Sequence, residues 1–188
     1  MKKIQSICVY CGSSNGNDQI YIQAAKTLGQ QLAKAGIGLV YGGGTRGIMG
    51  AVSQAVKANG GHVTGIIPKF LLDIEAHKKD KNLYDEFILT DTMHERKQKM
   101  FERSDAFLAL PGGIGTLEEI VEIITWTQLE RHQKPIGFVN VNGFWDPMIT
   151  LLNHMKSEGF LHIKNEIAPL IIDDIDCIVE KICTRSLT

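Results

Sequence analysis

The sequence predicts an α/β fold: a doubly wound parallel sheet flanked by helices, folded as a single domain over residues 1–188. Three observations predict it. Short apolar runs alternate with longer amphipathic stretches along the chain. The runs are rich in Val, Ile and Leu, as strands covered on both faces are. Glycine- or serine-rich turns stand where several runs end and a helix follows.

The first run, Ile4–Tyr10, ends at Cys11-Gly12-Ser13-Ser14, and the amphipathic stretch Asp18–Ala35 follows, stopped by Gly36. Gly38–Tyr41 leads through Gly42-Gly43-Gly44 into the helix Thr45–Asn59, which Gly60-Gly61 stop. The third strand, His62–Ile67, closes at Pro68. Lys69–Asp85 is long for a strand-to-strand connection, and reads as either a functional loop or a short surface helix. Strand Glu86–Thr90 then precedes helix Thr92–Ser104, and strand Ala106–Leu110 precedes the turn Pro111-Gly112-Gly113-Ile114-Gly115 and helix Thr116–Arg131. Strand Ile136–Asn140, helix Asp146–Glu158, a short strand Leu170–Ile172 and helix Asp174–Thr184 complete the order. No internal repeat, low-complexity tract or linker interrupts it.

Composition narrows the function. The chain is 44% hydrophobic and 22% charged, which excludes a disordered chain, a coiled coil and a collagen-like repeat. Lys plus Arg is 20 and Asp plus Glu 21, so the broad basic field of a dedicated nucleic-acid binder is missing. No apolar run reaches the ~20 residues of a membrane helix. The basic opening Met1-Lys2-Lys3 is followed by a stretch too short and polar for a signal peptide. A cytoplasmic protein with neither nucleic acid nor membrane as partner is expected. The four cysteines do not form a disulfide framework. Cys8 and Cys11 match C-x-x-C, but Cys8 falls inside a strand pattern, so structural thiols are expected. The six histidines show no H-x-x-x-H or H-E-x-x-H spacing, and no metal site is expected.

In an open parallel sheet, ligands bind outside the carboxyl ends of the strands. Here those ends carry Gly12 and Ser13, then Gly43 and Gly44, then Gly113 to Thr116. Glycines let a backbone approach an anion, and a helix start adds free N–H groups and partial positive charge. Several such turns on one edge predict a phosphate-bearing ligand. Gly42–Gly47 formally matches G-x-G-x-x-G, but it follows the second strand, and the next strand offers no acidic residue for a ribose. That argues against a nicotinamide dehydrogenase. Glu119, three residues after Thr116, has two readings: a capping box folding back on Thr116, or a carboxylate facing a cationic centre formed during reaction. Arg96 likewise reads either as part of a solvated helix face or as a group reaching over the strand edge, with Thr92 and Glu95 capping its helix.

Pro111-Gly112-Gly113-Ile114-Gly115-Thr116-Leu117-Glu118-Glu119 matches PGGxGTxxE, and Met93–Lys97 matches its companion M-x-x-R-K. With Cys8–Ser14 and Tyr41–Gly50, these residues resemble the LOG family of cytokinin riboside 5′-monophosphate phosphoribohydrolases, long mislabelled lysine decarboxylases. The resemblance implies a Rossmann-like fold and hydrolysis of the N-glycosidic bond of nucleoside 5′-monophosphates, N6-substituted AMP and AMP among them. It places the catalytic pair on Arg96 and Glu119. It places substrate binding on Lys97, on Gly113, Ile114, Gly115, Thr116, Leu117 and Glu118, on Thr125, and on Glu75 in the long segment. It also implies homodimers with active sites near the interface, and no metal or redox cofactor. Breaking a glycosidic bond passes through an oxocarbenium-like transition state, which a carboxylate at position 119 would stabilise. Arg96 would orient the ribose or Glu119, or help the leaving base. The apolar stretch Ile120–Leu129, with Trp126, is the expected dimer surface. Some proteins similar to this family bind a molybdenum cofactor, so a non-catalytic nucleotide or cofactor carrier is the alternative.

Overall fold

Seven strands, all parallel, form one sheet in the order β4-β3-β2-β1-β5-β6-β7. They are β1 Ser6–Tyr10, β2 Gly38–Tyr41, β3 Val63–Pro68, β4 Glu86–Thr90, β5 Ala106–Ala109, β6 Ile136–Val139 and β7 Leu170–Ile172. The structure, a computed structural model, describes residues 3–75, 81–161 and 168–185. The chain builds outward from β1 to β4, then crosses back to place β5 on the other side of β1. Strand order therefore reverses between β1 and β5, where a crevice opens at the carboxyl ends.

Side chains alternate across each strand. Ile7 and Val9 enter one core, with α1 (Gln19–Ala35), α2 (Gly47–Ala58) and the terminal helix α7 (Ile178–Arg185). Cys8 and Tyr10 enter the other, with α4 (Met93–Glu102), α5 (Ile114–Gln128) and α6 (Asp146–Ser157). Both faces of β1 are covered, which explains its unbroken apolar run. The edge strand β4 departs from that pattern: Phe87 and Leu89 are exposed. Cys8 and Cys11 thus face opposite cores and are free thiols.

Asp18 caps α1 by accepting the Ile20 N–H at 3.0 Å, and Gly36 ends it in the left-handed region at φ 66°. α1 and α2 approach closely at Gly29, where a Cβ would lie 2.6 Å from the Ala55 Cβ. The long connection folds into a 3-10 turn Lys69–Leu71, the short helix α3 (Leu72–Glu75) and a 3-10 turn Lys81–Leu83; residues 76–80 of it lie outside the described residues. Among the described residues, helical turns take the place of an open loop.

Some boundaries move from the expected ones. α2 begins at Gly47 rather than Thr45, because Arg46 is still extended. α5 begins at Ile114 rather than Thr116, because the extended Gly113 is its N-cap. A 3-10 turn, Ile175–Cys177, replaces the expected first turn of the terminal helix. No helix among the described residues is long and apolar enough to cross a membrane.

Candidate active site

A pocket of about 290 Å³ lies at the reversal point, between the ends of β1 and β5. Gly12 and Ser13 from the first turn, Gly113, Ile114, Gly115 and Thr116 from the start of α5, and the side chains of Arg96 and Glu119 line it.

The two glycine turns beside it meet backbone to backbone. The Gly12 N–H donates to the Pro111 carbonyl at 3.1 Å. A Cβ on Gly112 would lie 2.1 Å from the Thr116 Oγ1, so only glycine leaves room for that hydroxyl. The first intrahelical bond of α5 runs from the Leu117 N–H to the Gly113 carbonyl at 3.0 Å. The N–H groups of Ile114, Gly115 and Thr116 are therefore helix-start donors without an intrahelical acceptor. Added Cβ atoms on Gly113 and Gly115 would meet nothing within 4 Å, and Ile114 is 80% exposed. This helix start faces open space, with its partial positive charge available to an anion.

The second glycine turn is used differently. The N–H groups of Ile48 and Met49, at the start of α2, donate to the carbonyls of Ser14 (3.3 Å) and Gly12 (3.1 Å). A Cβ on Gly47 would lie 2.3 Å from the Ser13 carbonyl carbon. The first turn of the chain thus fills the start of α2. Gly43 and Gly44 do not line the pocket, and the Gly43 carbonyl accepts the Tyr84 hydroxyl at 2.8 Å. The G-x-G-x-x-G match here serves loop packing.

Arg96 is only 5% exposed. Its Nε donates to the Ile66 carbonyl at 3.2 Å and its Nη2 to the Gly42 carbonyl at 2.9 Å. Glycine at 42 leaves the guanidinium its place: a Cβ there would lie 2.0 Å from Nη2, so a larger residue would push the group aside. The solvated-face reading of Arg96 is overturned. α4 starts as expected: the Thr92 Oγ1 accepts the Glu95 N–H at 3.1 Å, while the Glu95 carboxylate reaches the Asp91 N–H at 2.9 Å, one residue beyond Thr92.

Glu119, 9% exposed, stands in the second turn of α5. Since Gly113 is the N-cap, Thr116 is not, and the capping-box reading of Glu119 falls. Tyr10 and Cys8 lie near its carboxylate. Burial first, then the charge of Glu119 nearby, hold the Tyr10 phenol well above its ordinary value. Burial chiefly, with the charge of Glu119, pushes the Cys8 thiol up. Both stay protonated. Sequence reasoning passed over Tyr10, Gly42 and Met49 as lining residues, although Tyr10 follows Cys8 at the same-face strand spacing.

Other expected residues lie elsewhere. Lys97 donates to Glu118 Oε1 at 2.5 Å and Glu122 Oε1 at 3.1 Å, and lines a separate groove between α4 and α5. Burial works to lower its pKa, but the two carboxylates outweigh it and raise the ammonium above its usual value. Leu117 packs on the core, and the Thr125 Oγ1 donates to the Val121 carbonyl at 2.8 Å; neither they nor Glu118 line the pocket. Glu75 closes α3, and its side chain lies outside the described residues. Of Ile120–Leu129, the residues Ile120, Ile123 and Ile124 are core, and only Val121, Trp126 and Leu129 offer apolar surface.

An open helix start at the switch point of a parallel sheet, beside a buried carboxylate and guanidinium, defines an α/β protein built to take an anionic ligand. Residues 49–182 match a family model described as "Possible lysine decarboxylase". The cytokinin riboside 5′-monophosphate phosphoribohydrolase LOG2 of Arabidopsis thaliana is 49% identical over 159 residues, covering 85% of this chain and 73% of the relative. The corresponding LOG enzyme of Oryza sativa subsp. japonica is also 49% identical over 159 residues, 85% of this chain and 64% of that protein. The chain belongs to this LOG family. Two solved structures have the same fold: a molybdenum cofactor binding protein from Rippkaea orientalis (TM-score 0.70, 23% identity, 100% and 99% of the two chains) and the molybdenum cofactor carrier protein of Chlamydomonas reinhardtii (TM-score 0.72, 19% identity, 100% of both). The decarboxylase description finds no counterpart in the pocket, whose lining among the described residues contains no lysine.

Proposed function

We propose that this protein hydrolyses the N-glycosidic bond of adenosine 5′-monophosphates, N6-substituted ones included, to free base and ribose 5-phosphate. The observation that carries this reading is a nearly buried carboxylate, Glu119, lining one pocket with Arg96 and the open start of α5. The N–H groups of Ile114 to Thr116 grip the 5′-phosphate, with Gly12 and Ser13 opposite. The bond from C1′ to the base nitrogen breaks, and its electron pair leaves with the base, which takes up a proton. Water adds to C1′ and gives its own proton to Glu119, which passes it to the released base nitrogen, directly or through solvent, so that the carboxylate is restored. While C1′ is electron-poor, the fixed carboxylate stabilises it. Arg96, pinned by two carbonyls, holds its charge beside the pocket that Glu119 also lines. The curated relatives at 49% identity carry this activity in their names, which supports the reading. The carrier alternative draws only on neighbours that share the fold.

The enzyme acts as a homodimer in the cytoplasm. The free thiols fit a reducing compartment. The second copy covers the groove of about 570 Å³ between α4 and α5, where Phe101 and Trp126 meet Leu129, 63% exposed. Light scattering should give a dimer for the wild type and a monomer for Leu129→Glu. A monomeric wild type at micromolar concentration refutes this assembly.

The test of function is release of free base from AMP and from isopentenyladenosine monophosphate. Glu119→Gln and Arg96→Ala should each lower turnover at least ~10²-fold. Full activity in either variant removes the role assigned to that residue, and binding without turnover favours a carrier.

A further inference from the structure

We propose that Tyr84 is a positioning residue for Arg96, acting through the Gly42–Gly43 turn from the opposite face of the sheet. The proposal rests on the hydrolase reading for its kinetic consequence, but not for its geometry. The Gly42 carbonyl accepts Arg96 Nη2 at 2.9 Å, and the next carbonyl, of Gly43, accepts the Tyr84 hydroxyl at 2.8 Å. Arg96 comes from α4, on the side of the second core, whereas Tyr84 packs against the core that holds α1 and α2. Two successive peptide planes are thus each held by one side chain, one from each face.

The joint between those planes is the Gly43 Cα, at φ +75°, and glycine there offers no side chain to fix it. Rotation about it would re-aim the Gly42 carbonyl, and with it the guanidinium. The Tyr84 hydroxyl opposes that rotation.

Tyr84 is itself well fixed. Its ring crosses β3 at Gly65, where a Cβ would lie 2.7 Å from Cδ1 and Cε1, and packs against Tyr41 and Phe87 at centroid distances of 6.3 and 4.7 Å. The next residue, Asp85, takes the Lys57 ammonium at 2.7 Å and the Val63 N–H at 2.8 Å, and its own N–H donates to the Val63 carbonyl at 2.9 Å. The far end of the long connection is thereby clamped to the start of β3 and the end of α2, and its aromatic tip reaches the turn that seats Arg96. Tyr84 does not line the pocket.

The test is Tyr84→Phe, which keeps the ring and removes the one oxygen. In AMP hydrolysis, kcat should fall about tenfold with KM within twofold, because binding groups are untouched. In an Arg96→Lys background, measured under single-turnover conditions, the same change should alter the rate less than twofold, since the residue it positions is already lost. A kcat within threefold of wild type overturns the proposal, as does an equal loss in both backgrounds. A second readout needs no turnover. Hydrogen exchange of the Arg96 Nε–H, assigned by its absence in Arg96→Lys, should accelerate tenfold or more in Tyr84→Phe; an unchanged rate overturns the positioning role. If the wild type releases no base from any nucleoside monophosphate, the hydrolase reading fails, and the exchange experiment still decides the role of Tyr84.

Discussion

Gly42→Ala tests whether the placement of Arg96 matters to the reaction. The backbone permits alanine, because Gly42 is not among the glycines with positive φ. The obstacle is the guanidinium: the new Cβ would lie 2.0 Å from Nη2 and 3.1 Å from Cζ, where contacts under 3.0 Å are essentially never tolerated. The group must retreat by about 1 Å, a displacement that can cost ~10²-fold in rate when it misplaces a catalytic group. It also gives up the 2.9 Å bond to the Gly42 carbonyl. Loss of one hydrogen bond to a charged group costs about 1.5–3 kcal/mol, but the guanidinium is the far end of a flexible chain beside an open pocket, so the lower end applies. For a chain of this length that is a fall of about 3–6 °C in melting temperature. The assay is base release from AMP beside a thermal melt. The expected result is a folded protein with kcat down ~10²-fold. A variant that keeps kcat within threefold of wild type refutes the argument that the pinned guanidinium is required.

Gly115→Ala should separate stability from function at the other end of the pocket. An alanine in the first turn of α5 meets no neighbour within 4 Å and should raise stability by about 0.5–1 kcal/mol, yet its methyl group fills the space assigned to phosphate, so KM for AMP should rise about tenfold or more. An unchanged KM moves the phosphate elsewhere. His132 gives a pH prediction. Its Nδ1 accepts the Lys134 N–H at 3.1 Å, which leaves the proton on Nε2, 3.1 Å from the Ile123 carbonyl. Burial, aided by the Lys134 charge and only partly countered by that carbonyl, lowers its pKa, so the fold prefers the neutral ring. Stability from this site is present above the unfolded value of about 6.5 and is lost as pH falls below it. Melting temperatures between pH 8 and 5 should therefore decline in the wild type and flatten in His132→Gln; equal slopes in the two would discard the assignment.

The strands themselves were readable because each buried strand is apolar on both faces, and that is a local property; their order in the sheet was not read. β4 was read as a strand, but its exposed Phe87 and Leu89 were not foreseen, because an edge position is a fact of topology. The start of α5 was misplaced by two residues. Glycines after a proline look like a loop, yet Gly113 can serve as the cap itself. That displacement decides between the two readings of Glu119, so a small boundary error bore on chemistry. The motif Gly113 to Glu119 is contiguous, and the meeting of Gly113 to Thr116 with Glu119 at one pocket was legible, whereas Leu117 and Glu118, expected there too, lie elsewhere. The seat of Arg96 was not. It depends on carbonyls from Gly42 and Ile66, residues 54 and 30 positions away. The second glycine turn was read as an anion cradle, and only the docking of Ser13 and Ser14 against Gly47 shows that its donors are already taken.

The placement of Glu119 is costly for a protein that only binds. A carboxylate about 6 Å from one phosphate charge is repelled by about 3 kcal/mol at an effective dielectric of about 20, so a carrier would gain affinity by losing it. The cost is offset only when the substrate turns positive at the sugar carbon, because a carboxylate about 4 Å away then attracts it by about 4 kcal/mol on the same scale. Interactions that strengthen only in the transition state raise the rate, whereas uniform binding does not. Arg96 fits the same logic. Donating to two carbonyls, it spends its hydrogen bonds on the protein and contributes a fixed positive charge instead of a flexible grip on substrate. On the proposed reading, a buried carboxylate beside a pinned guanidinium, with the phosphate at the helix start, weakens the ground state and favours its breakdown.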